Sequence, residues 1–253
     1  PNPKPQTPNP FSIQLITWVG SATISTARII MSSAKWTLTP EVVSLFTYFR
    51  SSSAWRVRIL LNLKKIAYNP IFIHLVKGEQ SSEEYKKINP TEMIPALHID
   101  GALLTESMAI AEYLEETRPE VALLPKDPKL RAKVRQICET VNSGLQPILN
   151  RRVILKVEQD LKGNMKEWCV YWNERILPQL EEILKESSGK YCLGDEVTVA
   201  DAFVLPAWLG AVKRFGINPE KYPVIAGICN RLLEIEAFQK ALPQNQPDFE
   251  DKP

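Results

Sequence analysis

The hydrophobic period of this chain changes once, and that change limits its fold more than any other feature. Between Glu41 and Arg118, short β-branched and aromatic runs alternate with amphipathic segments, whereas beyond Pro128 the apolar repeat is helical throughout. Val42–Phe49 predicts a buried strand. After Ser51-Ser52-Ser53, apolar residues at Trp55, Ile59, Leu60 and Leu63 have helical spacing. Pro70–Val76 predicts a second strand and Ser81–Ile88 a short helix. Pro95–Ile99 and Ala102–Leu104 predict a hairpin turned at Asp100-Gly101, and Glu106–Thr117 a helix stopped at Arg118-Pro119. The order β-α-β-α-β-β-α over about 75 residues points to a compact α/β domain. Residues 119–128 and the flanking Arg118 hold three prolines and no helical period, so they read as a linker. Helices are predicted over Leu130–Leu149, Asn164–Ser187, Thr198–Phe215 and Tyr222–Ala241, the third opened by a capping box in Thr198-Val199-Ala200-Asp201. The expected architecture is an α/β domain over 41–118 followed by an all-α domain over 129–253.

Residues 1–40 read differently. Five prolines fall in the first ten positions, and the stretch holds Lys4, Arg28 and Lys35 but no acid. It is expected to be an extension outside the fold, disordered or cleaved. It fits either upstream sequence before a start at Met31 or an acid-poor transit peptide. The rest of the chain then carries 28 basic against 29 acidic residues, which gives no basic face for nucleic acid. The apolar stretches are far shorter than the ~20 residues of a membrane span.

Composition narrows the chemistry further. The chain has two histidines, His74 and His98, and four cysteines separated by 31, 23 and 37 residues, without a CxxC or HxxxH pair. No metal site is expected, and the cysteines read as buried thiols of a reducing compartment. No GxSxG, GxGxxG or GxxxxGK[ST] is present, which argues against a hydrolase elbow and a nucleotide phosphate site.

Two turns and one helix start carry positive signals. A strand that ends in Ser51-Ser52-Ser53 and feeds a helix brings hydroxyls and free N–H groups to the positive end of a helix dipole, where a thiolate is stabilised. The same serines also suit a plain N-cap. Ile94-Pro95 precedes the hairpin, and a cis bond there presents the Ile94 backbone to a peptide-like ligand. Glu106-Ser107 opens the next helix with a carboxylate suited to an amine and a hydroxyl suited to a carboxylate. Together these would grip an amino-acid terminus.

Tyr48–Ile59 (YFRSSSAWRVRI), Asn89–Leu97 (NPTEMIPAL), Glu106–Pro119 (ESMAIAEYLEETRP) and Gly194–Asp201 (GDEVTVAD) resemble the zeta class of glutathione transferases, the maleylacetoacetate isomerases. The resemblance runs from about Val43 to Pro247, roughly four-fifths of the chain. It implies a thioredoxin-like first domain, a helical second domain, glutathione as cofactor and a homodimer in the cytoplasm, or in mitochondria if residues 1–40 are a transit peptide. By position it assigns the catalytic serine turn to Ser51, Ser52 and Ser53, and glutathione contacts to Gln80, Ile94, Glu106, Ser107, Gln146 and Asn150. Arg56 and Arg214 are the candidates for substrate carboxylates, with Arg50 as a third whose first reading is structural.

Three departures from the family stand out. Ser53 replaces a cysteine, Glu106 replaces a usual glutamine, and Arg151-Arg152 follow Asn150 where the family has small or apolar residues. The implied reaction is glutathione-dependent cis-trans isomerisation of maleylacetoacetate in phenylalanine and tyrosine degradation, with transferase activity toward small α-halo acids. The alternatives are general detoxification by conjugation or peroxide reduction, and a non-catalytic module of the same fold.

Overall fold

The computed structural model describes the backbone of residues 31–32 and all of residues 35–250. The remainder of the expected extension, residues 1–30 and 33–34, lies outside the described residues. The first pairing is a two-residue ladder of β1 (Met31–Ser32) on β2 (Thr37–Leu38). Ordered packing therefore begins before Glu41, contrary to expectation. The Leu38 side chain is fully buried, and Trp36 packs edge-on against Phe46 and Tyr85. Two large apolar side chains find a pocket in the sheet, a contact that no local period announces.

The first domain follows the expected order with shorter strands. β3 (Ser44–Thr47), β4 (Asn69–Phe72), β5 (Ala96–Ile99) and β6 (Ala102–Thr105) form one sheet in the order β4-β3-β5-β6. β3 and β4 are parallel and joined through α1 (Ser52–Leu63), while the other pairs are antiparallel. Strand alternation separates two cores. Leu45, Leu97 and Ile99 point to α1 and α3 (Ser107–Thr117), whereas Phe46 and Ala96 point to α2 (Glu83–Ile88). At the β5–β6 turn Asp100 and Gly101 both have positive φ, as a type I′ hairpin requires.

The segment between the domains is pinned rather than loose. Glu115 accepts the N–H groups of Leu123 and Leu124, and Lys64 pairs with Glu115 at 2.7 Å while donating to the Arg118 and Val121 carbonyls. The core of the first domain runs on into the helical domain, where α1 packs against α7 (Val199–Phe215). The predicted helix over 130–149 is divided. α4 (Pro128–Glu139) passes into one wide π turn at Thr140–Leu145, and α5 (Arg151–Gln159), absent from the expectation, starts after Asn150. α6 (Met165–Ser187) and α7 match their predicted spans within a residue. The last predicted helix splits into α8 (Pro223–Leu232) and the short α9 (Glu236–Lys240). No helix among the described residues is long and apolar enough to cross a membrane.

Candidate active site

Between the two domains lies a cavity of about 730 Å³, and its floor is the start of α1. Ser51, Ser52 and Ser53 all line it. Ser51 is the N-cap of α1, and its Oγ accepts the Ala54 N–H at 3.2 Å. One lone pair is thus engaged while the hydroxyl hydrogen stays free to donate. The first-turn N–H groups of Ser52 and Ser53 have no intrahelical partner. An anion at this floor meets hydroxyls, unpaired amides and a helix dipole at once.

Of the other expected contacts, Gln80, Ile94, Gln146, Asn150 and Arg214 also line the cavity. The Ile94–Pro95 peptide is cis. Gln80 turns a buried Oε1 that has no hydrogen-bond partner. Asn150 caps α5 by accepting the Arg152 N–H at 3.1 Å. Glu106 and Ser107 stand at the start of α3, Glu106 exposed with φ of 66° and Ser107 buried. A non-glycine residue in that region is strained, and such strain concentrates where side chains must be aimed.

Arg56 requires a correction. It does not face the cavity; its side chain is fully buried and donates to Ser107 Oγ, Asn142 Oδ1 and Gln146 Oε1. A guanidinium in that position cannot reach a substrate carboxylate. The cavity's cations are instead Arg50, Arg151, Arg152 and Arg214, against one lining carboxylate, Glu92. Arg50 is therefore a wall residue and not only a structural one. Arg214 is solvent-accessible, but the solvent it meets is that of the cavity, so desolvation lowers its pKa, followed by the like charge of Arg50. The Arg214 guanidinium lies over the Phe215 ring at 5.1 Å. Sequence reasoning marked Arg151-Arg152 as a departure from the family but assigned them no role, because α5 was missed. The available signal was Asn150 as a cap, with Val153, Ile154 and Val157 on one helical face.

The four cysteines, Cys138, Cys169, Cys192 and Cys229, are free and buried, and among the described residues no cluster could hold a metal ion. Burial raises the Cys138 and Cys169 thiols. None of the four cysteines lines the cavity, so the chain offers it no sulfur of its own there.

The glutathione S-transferase N-terminal domain matches residues 41–116, and the glutathione S-transferase C-terminal domain matches residues 156–236. Probable maleylacetoacetate isomerase 2 of Drosophila melanogaster is 47% identical over 206 residues, covering 81% of this chain and 89% of that protein. This chain belongs to the glutathione transferase family. A solved maleyl pyruvate isomerase, described as a bacterial glutathione S-transferase of the zeta class, superposes with a TM-score of 0.79 at 33% identity. That match covers 82% of this chain and 100% of the other. Maleylacetoacetate isomerase of Anaeromyxobacter dehalogenans, solved with glutathione in its active site, has a TM-score of 0.76 at 39% identity over 83% of this chain and 98% of its own. The zeta class is the branch of the glutathione transferase family to which this chain's resemblances converge, and its thioredoxin-like and helical domains are those described above.

Proposed function

We propose that this protein is a glutathione-dependent isomerase that converts maleylacetoacetate to fumarylacetoacetate. The observation that carries the reading is one cavity with a thiolate-stabilising serine turn on its floor and four arginines on its wall. The site fits glutathione on its own terms. The α1 N-terminus suits a thiolate, the buried orphan Oε1 of Gln80 awaits a donor, and the Glu106-Ser107 corner of α3 offers a carboxylate and a hydroxyl to an amino-acid end. When bound, glutathione supplies a thiolate that adds reversibly to the cis double bond, so that rotation can precede elimination.

The chain's own residues do the rest. Ser51, whose Oγ already accepts the Ala54 N–H, donates its free hydrogen to sulfur and lowers the thiol pKa. Ser53 keeps a hydroxyl where a cysteine would add a competing thiol. Arg50 of the α/β domain and Arg214 of α7 take one substrate carboxylate, and Arg151 and Arg152 of α5 approach from the helical domain as well. This net positive lining stabilises the negative oxygen that develops on addition. Holding both reactants in one pocket contributes the orientation. The same arginines and thiolate site suit a small α-halo acid, with C–S formation and loss of halide. A homodimer and a cytoplasmic location rest on the resemblance.

The deciding experiment is conversion of maleylacetone from cis to trans by purified protein. Turnover that depends on glutathione without consuming it is expected. Absence of conversion at any glutathione concentration would discard the isomerase reading.

A further inference from the structure

Arg56 stands behind the site and not in it. Its Nη1 donates to Ser107 Oγ at 3.1 Å and to Asn142 Oδ1 at 2.7 Å, and its Nη2 donates to Gln146 Oε1 at 3.2 Å. Ser107 belongs to the α/β domain, whereas Asn142 and Gln146 belong to the helical one. One guanidinium thus ties the two domains together beneath the cavity that Gln146 lines. Among the described residues no carboxylate forms an ion pair with it, its Nε has no partner, and the Phe203 ring lies 4.5 Å beneath its centre. Burial lowers its pKa to about 10, which still leaves it charged at neutral pH. Glu139 and Glu106 act on it only through space, and a buried cation with no carboxylate in direct contact is expensive, so hydrophobic replacement is often better for stability alone.

A guanidinium only donates, so each partner must turn an acceptor toward it. Ser107 engages a lone pair, and its own hydrogen must point elsewhere. Gln146 turns its carbonyl oxygen inward, which leaves its NH2 group as the part that the cavity meets; the network assigns this orientation. Asn142 behaves likewise, but its NH2 is directed at the Glu139 carboxylate at 3.4 Å. Gln146, which lines the cavity, therefore meets a ligand as a donor, and Ser107, buried at the start of α3 and not itself in the cavity lining, keeps only its hydrogen to offer.

We propose that Arg56 is a positioning residue that sets the hydrogen-bond polarity of the site from behind, forcing Ser107 and Gln146 to present donors to anionic ligand oxygens. The inference rests on reading the cavity as a glutathione site. It adds that two side chains able to donate or accept are held in one sense by a third that never touches the ligand. The charge of Arg56, opposed only at longer range by Glu139 and Glu106, favours a carboxylate in front of Ser107, in the same direction as the α3 dipole.

The test uses the full chain and S-(1,2-dicarboxyethyl)glutathione, a probe that places carboxylates along the whole cleft, with Kd read by calorimetry. Gln146→Glu pairs with Arg56 but shows the cavity an acceptor. The ligand-free melting temperature should hold or rise while Kd weakens about tenfold or more, the scale of a hydrogen bond to a charged group. A lower melting temperature with Kd within about twofold would overturn the proposal. Arg56→Lys and Ser107→Ala should each weaken binding about tenfold, and the double variant little more than the worse single one. Multiplicative effects would overturn the proposal, because independent sites add in free energy. Normal probe binding without maleylacetone conversion would discard the isomerase reading and leave this one standing. Failure of the wild type to bind the probe would discard both.

Discussion

Arg56 and Arg58 lie two residues apart on α1, both fully buried, both with pKa lowered by burial to about 10. Their partners differ completely. Arg58 donates to Thr47 Oγ1 and to the carbonyls of Tyr48, Phe49 and Ala241. It is a backbone clasp that joins the end of β3 to the last helix of the chain. Arg56 donates to three polar side chains and leaves its Nε unused. Backbone acceptors near a strand end are obligatory groups that any fold must satisfy. Polar side chains clustered at a cavity are a choice, and the contrast separates a charge kept for the fold from a charge kept for the site.

The largest effect should come from Arg58→Met. It strands three carbonyls and a hydroxyl in the interior, which costs on the order of 3–5 kcal/mol. At roughly 2–4 °C per kcal/mol for a chain of this size, the melting temperature should fall by about 10 °C. Arg56→Met, with fewer obligatory partners, should lose much less in urea unfolding. Equal losses for the two variants would erase the distinction.

A second prediction probes the tail that Arg58 helps to hold. Asp248 Oδ2 accepts the Phe49 N–H at 2.9 Å, and Phe249 packs edge-on against Phe49. Burial raises the Asp248 carboxyl, against smaller opposing pulls from the Phe49 N–H, Arg58 and His74. Its protonated form is thus favoured in the native state. The contribution is full below the unfolded carboxyl pKa of about 3.9 and is lost as pH rises through the raised native value. Asp248→Asn keeps an acceptor and cannot ionise, so its melting temperature should gain on the wild type as pH goes from about 3 to 6. A gap that narrows over that range would contradict this account.

The smallest effect belongs to an arginine in water. Arg135 forms a two-pronged pair with Glu112 at 2.6 and 2.8 Å, joining α4 to α3 at a partly exposed seam. The hydrogen bond from Arg135 holds the Glu112 carboxyl low. Its stabilisation is therefore present above the unfolded pKa and lost as pH falls through the lowered native one. Glu112→Gln should cost about 1 kcal/mol or less at neutral pH, and nothing in high salt. A larger loss would place this pair with the buried arginines.

Much of this architecture was legible from local pattern. The β-branched and aromatic run Val42–Phe49 and the Asp100-Gly101 turn mark β3 and the β5–β6 hairpin before any contact is known. The Thr198–Asp201 box is formed as expected, with Asp201 accepting the Thr198 N–H at 2.8 Å. The serine turn likewise sits at the start of α1 because Ser51 is a competent cap. The failures share a cause. Val134, Ile137, Val141 and Leu145 are all buried and keep an apolar face across the π turn, so the period hid the break at 140–145. With the break hidden, the start of α5 and its two arginines went unassigned.

The sequence by itself determined the order of elements in the α/β domain, the passage to an all-helical domain, the hydroxyls at a helix start and the family. These depend on residues within a few positions of one another: period, cap and turn. Only the tertiary structure decided which arginines serve the cavity. Arg50, Arg56 and Arg58 occupy nine residues of one segment and look alike there. Ser107, Gln146 and Ala241, which lie 51 to 183 positions away, settle which charge is enclosed and which is not. A guanidinium takes its role from the acceptors that fold around it, and the deciding ones lie far along the chain.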